Sequence, residues 1–140
     1  MSNLQHITKP GGVAPPSGLY SHAVKVLDSG LVFISGQTAL NEVGNIVGEN
    51  DVSVQTEQVF QNLGKVLSTS GSGFDRVLAF TIYLVGDDSV GDFLTTRKDI
   101  FGTIYPDGKY PCSTLVNVVS LGGGKALVEI SAIAVSGLPA

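Results

Sequence analysis

Helical apolar spacing that twice gives way to a strand-like apolar run constrains this fold more than any other feature of the sequence. Val59, Phe60, Leu63, Val66 and Leu67 recur at three and four residues, which puts one apolar stripe on a helix over about Ser53–Ser68. Gly71-Ser72-Gly73 stops it. Arg76–Val85 then reads as a strand, apolar on both faces except at Thr81, so burial on both sides is expected. Asp87-Asp88-Ser89 opens a second helix, with acidic residues suited to the positive helix N-terminus. Its stripe is Val90, Phe93, Leu94, Phe101 and Ile104, and Pro106-Asp107-Gly108 ends it. Strands follow at Cys112–Val119 and Lys125–Val135, on either side of the Gly122-Gly123-Gly124 turn.

Upstream, the Gly/Pro punctuation of residues 9–18 makes a loop. Ala23–Leu27 and Leu31–Ser35 form a hairpin about Asp28-Ser29-Gly30, and Ser35-Gly36-Gln37 ends its second strand. Residues 41–50, rich in Asn and Gly, are a loop. The order is strand, strand, helix, strand, helix, strand, strand. That is an α+β fold with one sheet and two helices on one face, expected as a single domain over 1–140.

Charge narrows the function classes. Charged residues are 14% of the chain, against a typical ~25%. So little charge covers a free surface poorly, which points to burial in a homo-oligomer. Net charge is −4 and the longest basic pair is Arg97-Lys98, so no phosphate-backbone footprint exists and nucleic acid is not expected as a partner. No apolar run is long enough to span a bilayer, and the N-terminus lacks the stretch of a signal peptide. A cytoplasmic protein with no membrane partner is expected. The single Cys112 excludes an internal disulfide and a Cys-based zinc cluster; with no base near it, a buried inert thiol is expected. His6 and His22 lie in unrelated contexts and support a metal site weakly. Gly122-Gly123-Gly124 precedes a strand rather than a helix, which disfavours a nucleotide loop. No cofactor is expected.

Glu129 is the sharpest single residue. Alternation puts it on one face with Leu127, Ser131 and Ile133. In a cleft its pKa would rise toward neutrality, which suits proton transfer. Pattern alone favours the plainer reading, a solvated Glu on an edge strand. Arg97 falls inside the apolar stripe of the second helix. It either meets a substrate carboxylate, or it snorkels, or it pairs with Asp92 or Asp99; pattern alone favours the last two over the first. Tyr20 follows the Gly/Pro loop and either contacts a ligand or simply packs.

Taken together, these residues resemble a known family. Gly18-Leu19-Tyr20-Ser21-His22-Ala23 is similar to its Gly-Pro-Tyr-Ser-x-Ala segment, Val32-Phe33-Ile34-Ser35-Gly36-Gln37 to its Ser-Gly-Gln strand end, and Glu129-Ile130-Ser131-Ala132-Ile133-Ala134 to its closing Glu-Ile-x-Ala-Ile-Ala. The family is that of the reactive intermediate deaminases (RidA, also YjgF). The resemblance implies a chorismate-mutase-like fold and a homotrimer, with sites in clefts between subunits. It implies hydrolysis of enamines and imines to keto acids and ammonia, without metal or cofactor. Glu129 then positions water, and Tyr20, Ser35 and Gly36 line the pocket.

The family's substrate-binding Arg is where the chain departs. The family segment reads Pro-x-Arg-Ser-Cys-Val, and here Pro111-Cys112-Ser113-Thr114-Leu115-Val116 puts Ser113 in place of Arg and Leu115 in place of Cys. A hydroxyl cannot replace a guanidinium fork. Aligning the second helix by Asp92-Phe93 puts Arg97 at a pocket position often held by Asn, so Arg97 is expected to contact the small-molecule ligand's anion. The leading expectation is an enamine or imine deaminase with a non-standard substrate. The rival is a non-catalytic metabolite-binding or regulatory trimer, and ribonuclease activity is disfavoured by charge.

Overall fold

The computed structural model describes residues 3–122 and 124–137. Helix α1 is Val52–Thr69, and the whole predicted stripe on it is buried. Asp51 caps it, its side chain accepting from the Val54 N–H at 3.0 Å. Helix α2 is Ser89–Ile104. It buries Phe93 fully, and Val90, Phe101 and Ile104 pack partly against the core. Leu94 does not join them: about 100° round the helix from Phe93, it is exposed. Phe60 of α1 meets Phe101 of α2 edge to face at 5.8 Å, which ties the two helices together.

Strands β1 (Leu4–Ile7), β2 (Ala23–Val26), β3 (Leu31–Gln37), β4 (Val77–Val85), β5 (Cys112–Val118) and β6 (Val128–Val135) form one sheet in the order β1-β2-β3-β6-β4-β5. Only β4 and β5 are parallel, joined by α2 as the crossover. β6, last in the chain, lies between β3 and β4 and so closes the two halves. The expected order lacks β1. That strand offers one buried apolar residue, Ile7, and exists through its pairing to β2.

One sheet face carries Val32, Ile34, Phe80, Ile82, Leu84, Val128, Ile130, Ala132 and Ala134, all buried beneath the helices. The other face has no layer over it among the described residues. Within the single chain the expected two-sided burial of β4 is met on one face only: Ala79, Thr81, Tyr83 and Val85, on the other, are half-buried. For the same reason Cys112, on the uncovered face of edge strand β5, is exposed rather than buried. β6 begins at Val128 rather than Lys125, because the segment before it is held by a side chain of α1, as described below. Gly123 of the expected triple-Gly turn lies outside the described residues. No helix among those residues is long and apolar enough to cross a membrane.

Candidate active site

The site is built where β3 departs from regular pairing. Ile34 pairs with Ala132 and Gln37 with Ile130, so β3 carries one residue more than β6 over this stretch. Ser35 and Gly36 occupy that bulge, a device that re-aims side chains beside functional sites. Glu129 lies against it. A Cβ on Gly36 would stand 2.7 Å from Glu129 Oε2 and 2.8 Å from its Cδ. Only glycine leaves room there for the carboxylate.

Glu129, Gly36 and Tyr20 line one cavity of about 420 Å³, together with Thr38, Leu40 and Lys125. Glu129 is half-buried, and desolvation raises its pKa above the ordinary carboxylate value. None of the hydrogen bonds or ion pairs among the described residues engages its carboxylate. Tyr20 is half-exposed, and its ring meets that of His22 edge-on with centroids 6.0 Å apart. His22 itself is buried and occupied: its Nε2 donates to the Ala14 carbonyl at 2.8 Å, and Gln37 Nε2 donates to its Nδ1 at 3.1 Å. Ser35 does not line the cavity. Its hydroxyl donates to the Ser21 carbonyl at 2.6 Å and so fixes the chain beside Tyr20.

Arg97, Ser113 and Leu115 lie elsewhere in the chain. Ser113 and Leu115 pair with Phe80 and Ile82, on the helix-covered face of edge strand β5. Arg97 is half-buried, with its guanidinium 5.4 Å from the ring centre of Phe93 and 5.6 Å from that of Phe101. Desolvation lowers its pKa from the ordinary value. Of the alternatives weighed for it, an ion pair with Asp92 or Asp99 is not made among the described residues; the guanidinium lies over the two rings instead. Among the described residues, no group of His, Cys, Asp and Glu is arranged to hold a metal ion. A larger cavity of about 570 Å³ at the start of α2 is walled by Asp51, Asp88 and Asp92 and contains none of the candidate residues.

The family model described as endoribonuclease L-PSP matches residues 11–136. The chain belongs to this family, the RidA/YjgF family. Among the relatives of this RidA/YjgF protein, DfrA of Myxococcus xanthus is 39% identical over 119 residues, covering 85% of this chain and 86% of its own. The 2-iminobutanoate/2-iminopropanoate deaminase of Mus musculus is 33% identical over 120 residues, covering 86% and 83%. The crystal structure of the yeast protein YEO7 superposes with a TM-score of 0.81 at 30% identity, over 96% of this chain and 99% of that one.

Two side chains that sequence reasoning passed over hold this RidA/YjgF site in shape. Gln55 and Asn62 are buried on α1. Asn62 Nδ2 donates to the carbonyls of Thr38 and Leu40, at 3.0 and 2.8 Å. Gln55 Nε2 donates to the carbonyls of Gly48 and Lys125, both at 3.1 Å, and its Oε1 accepts from the Leu127 N–H at 2.7 Å. Both walls of the cavity are thereby pinned to one helix. The readable signal was two amides seven residues apart, on the same helix face as Val59 and Val66.

Proposed function

We propose that this chain hydrolyses an enamine or imine, in a cleft that a second copy of the chain completes. The carrying observation is the half-buried Glu129 carboxylate, with its raised pKa, packed on Gly36 in the cavity that Tyr20 also lines. A carboxylate with its pKa raised in this way is a stronger base toward water and can return the proton it takes. Water adds through oxygen to the C=N carbon while Glu129 takes its proton. Glu129 then passes that proton to nitrogen, giving a neutral carbinolamine; it next takes the hydroxyl proton and delivers it to the amine as the C–N bond breaks, so ammonia leaves as the C=O bond forms. The name of the mouse relative supports the same reaction class.

The cleft draws on two copies in this reading. Glu129, Tyr20 and Gly36 come from one, and Arg97, Ser113 and Leu115 come from the α2–β5 edge of its neighbour. A homotrimer packed through the uncovered sheet faces supplies that arrangement, and the exposed Phe33, Ile133 and Val116 on that face support it. Arg97 then provides the anion contact that Ser113 cannot. The substrate accordingly differs in orientation from a simple 2-imino acid held by an Arg at position 113.

A panel of imines generated in situ by an amino-acid oxidase tests the proposal. Acceleration over the spontaneous rate is expected, with a loss of ~10²–10⁴-fold in Glu129→Gln. Full activity in that variant on an accepted substrate would refute the role. The second reading, a metabolite-binding trimer without catalysis, is favoured by one observation, the hydroxyl of Ser113 in place of a guanidinium. Ligand binding with no acceleration across the panel would select it. Net charge −4 weighs against ribonuclease action.

A further inference from the structure

We infer that Lys125 supplies a second cationic contact, beside that of Arg97, for a carboxylate of the substrate at the cavity that holds Glu129. The inference rests on the hydrolase reading of that cavity and adds a charge class to its substrate. Lys125 lines the cavity with Glu129, Gly36 and Tyr20, so cation and carboxylate belong to one chain. It is the one cationic side chain among the described residues of that lining. The fully buried Gln55 fixes its backbone from behind, through the Lys125 carbonyl at 3.1 Å and the Leu127 N–H at 2.7 Å. The backbone is anchored while the four-carbon stem is free to swing.

Its ammonium is now turned to Glu49, with Nζ 2.9 Å from Glu49 Oε1, and Glu49 does not line the cavity. The two side chains are 64% and 52% exposed. A pair so exposed is held weakly. A ligand carboxylate seated in the cavity competes with Glu49 for the ammonium, and so weakly held a partner is readily displaced. Glu49 serves as a placeholder that keeps the ammonium near the cavity and away from Glu129.

Titrating the full chain with pyruvate and with the neutral pyruvamide, followed by calorimetry, tests the inference without turnover. Wild-type protein is expected to prefer pyruvate. Lys125→Gln is expected to weaken pyruvate about tenfold and leave pyruvamide unmoved. Lys125→Arg should recover part of the loss, and Glu49→Gln should tighten pyruvate by removing its competitor. An unchanged pyruvate affinity in Lys125→Gln overturns the inference. So does equal weakening of both ligands, or a wild-type protein that binds pyruvate no better than pyruvamide. Pyruvate binding through Lys125 without acceleration of any imine refutes the hydrolase reading and leaves this contact standing.

Discussion

Glu129 is held half out of water with no ion pair among the described residues, and the consequence is a pH dependence of definite sign. Desolvation makes the folded chain keep the carboxyl proton to a higher pH than the unfolded chain does. Between the two pKa values the folded state binds more protons, so stability falls as pH rises from about 4.5 through the raised folded value. Below that window Glu129 contributes nothing; above it the penalty is constant. Glu129→Gln removes the titration. Its melting temperature relative to wild type is therefore expected to be higher at pH 8 than at pH 4, and thermal unfolding at both values checks this. The hydrolysis rate should move the other way, rising through the same window as the basic form appears, with that rise gone in the variant. Gly36 follows from the same packing. Gly36→Ala puts a methyl within 2.9 Å of Glu129 Cγ, Cδ and Oε2, all on the mobile end of the side chain. The carboxylate is expected to turn aside, so kcat/KM should fall by at least tenfold while the urea midpoint moves little. At this scale the sequence was informative for Glu129, whose charge interrupts an apolar alternation. It was silent on Lys125, because a charged residue beside glycines looks like any solvated turn.

α1 does two jobs on one face, and its polar residues carry the second. Gln55 and Asn62 stand two turns apart in a stripe otherwise filled by Val59, Leu63 and Val66. Neither amide leaves a buried polar atom without a partner. Gln55→Leu keeps the volume roughly constant and strands the Leu127 N–H and two carbonyls. Each buried group so stranded costs about 1–3 kcal/mol, with the carbonyls nearer the low end. A drop in the urea midpoint is expected, together with a lower kcat, because residues 125–127 set the start of β6 and hence Glu129. A variant as active and as stable as wild type would remove Gln55 from the site's support. The helices themselves were legible from apolar periodicity alone, to within about one residue at each end of α1. The sheet order was not. β6 sits between β3 and β4 through pairings that join distant parts of the chain, and no local pattern encodes a neighbour so far away. On β4 the apolar run did not tell which layer covers each face: one meets the helices, and the other is left half-buried by the single chain.

At the scale of the whole molecule, the bare sheet face and the scarcity of charge describe the same surface. Phe33 and Ile133 are paired across β3 and β6, and both are exposed in the single chain. If other copies cover them, as proposed, the low share of 14% charged residues follows. A species of three chain masses is expected in solution, and light scattering checks it. The stronger test uses the division of the site. If each cleft takes Glu129 from one copy and Arg97 from the next, a Glu129→Gln trimer and an Arg97→Ala trimer are each inactive for a different reason. Unfolding them together in equal amounts and refolding gives random trimers. A cleft works only when its Glu comes from an Arg97→Ala chain and its Arg from a Glu129→Gln chain. Each choice has a chance of one half, so roughly one quarter of wild-type activity should return. A site contained in one chain returns nothing, since every chain in the mixture carries one of the two lesions. The recovered fraction therefore separates a shared cleft from a private one, whatever the substrate proves to be.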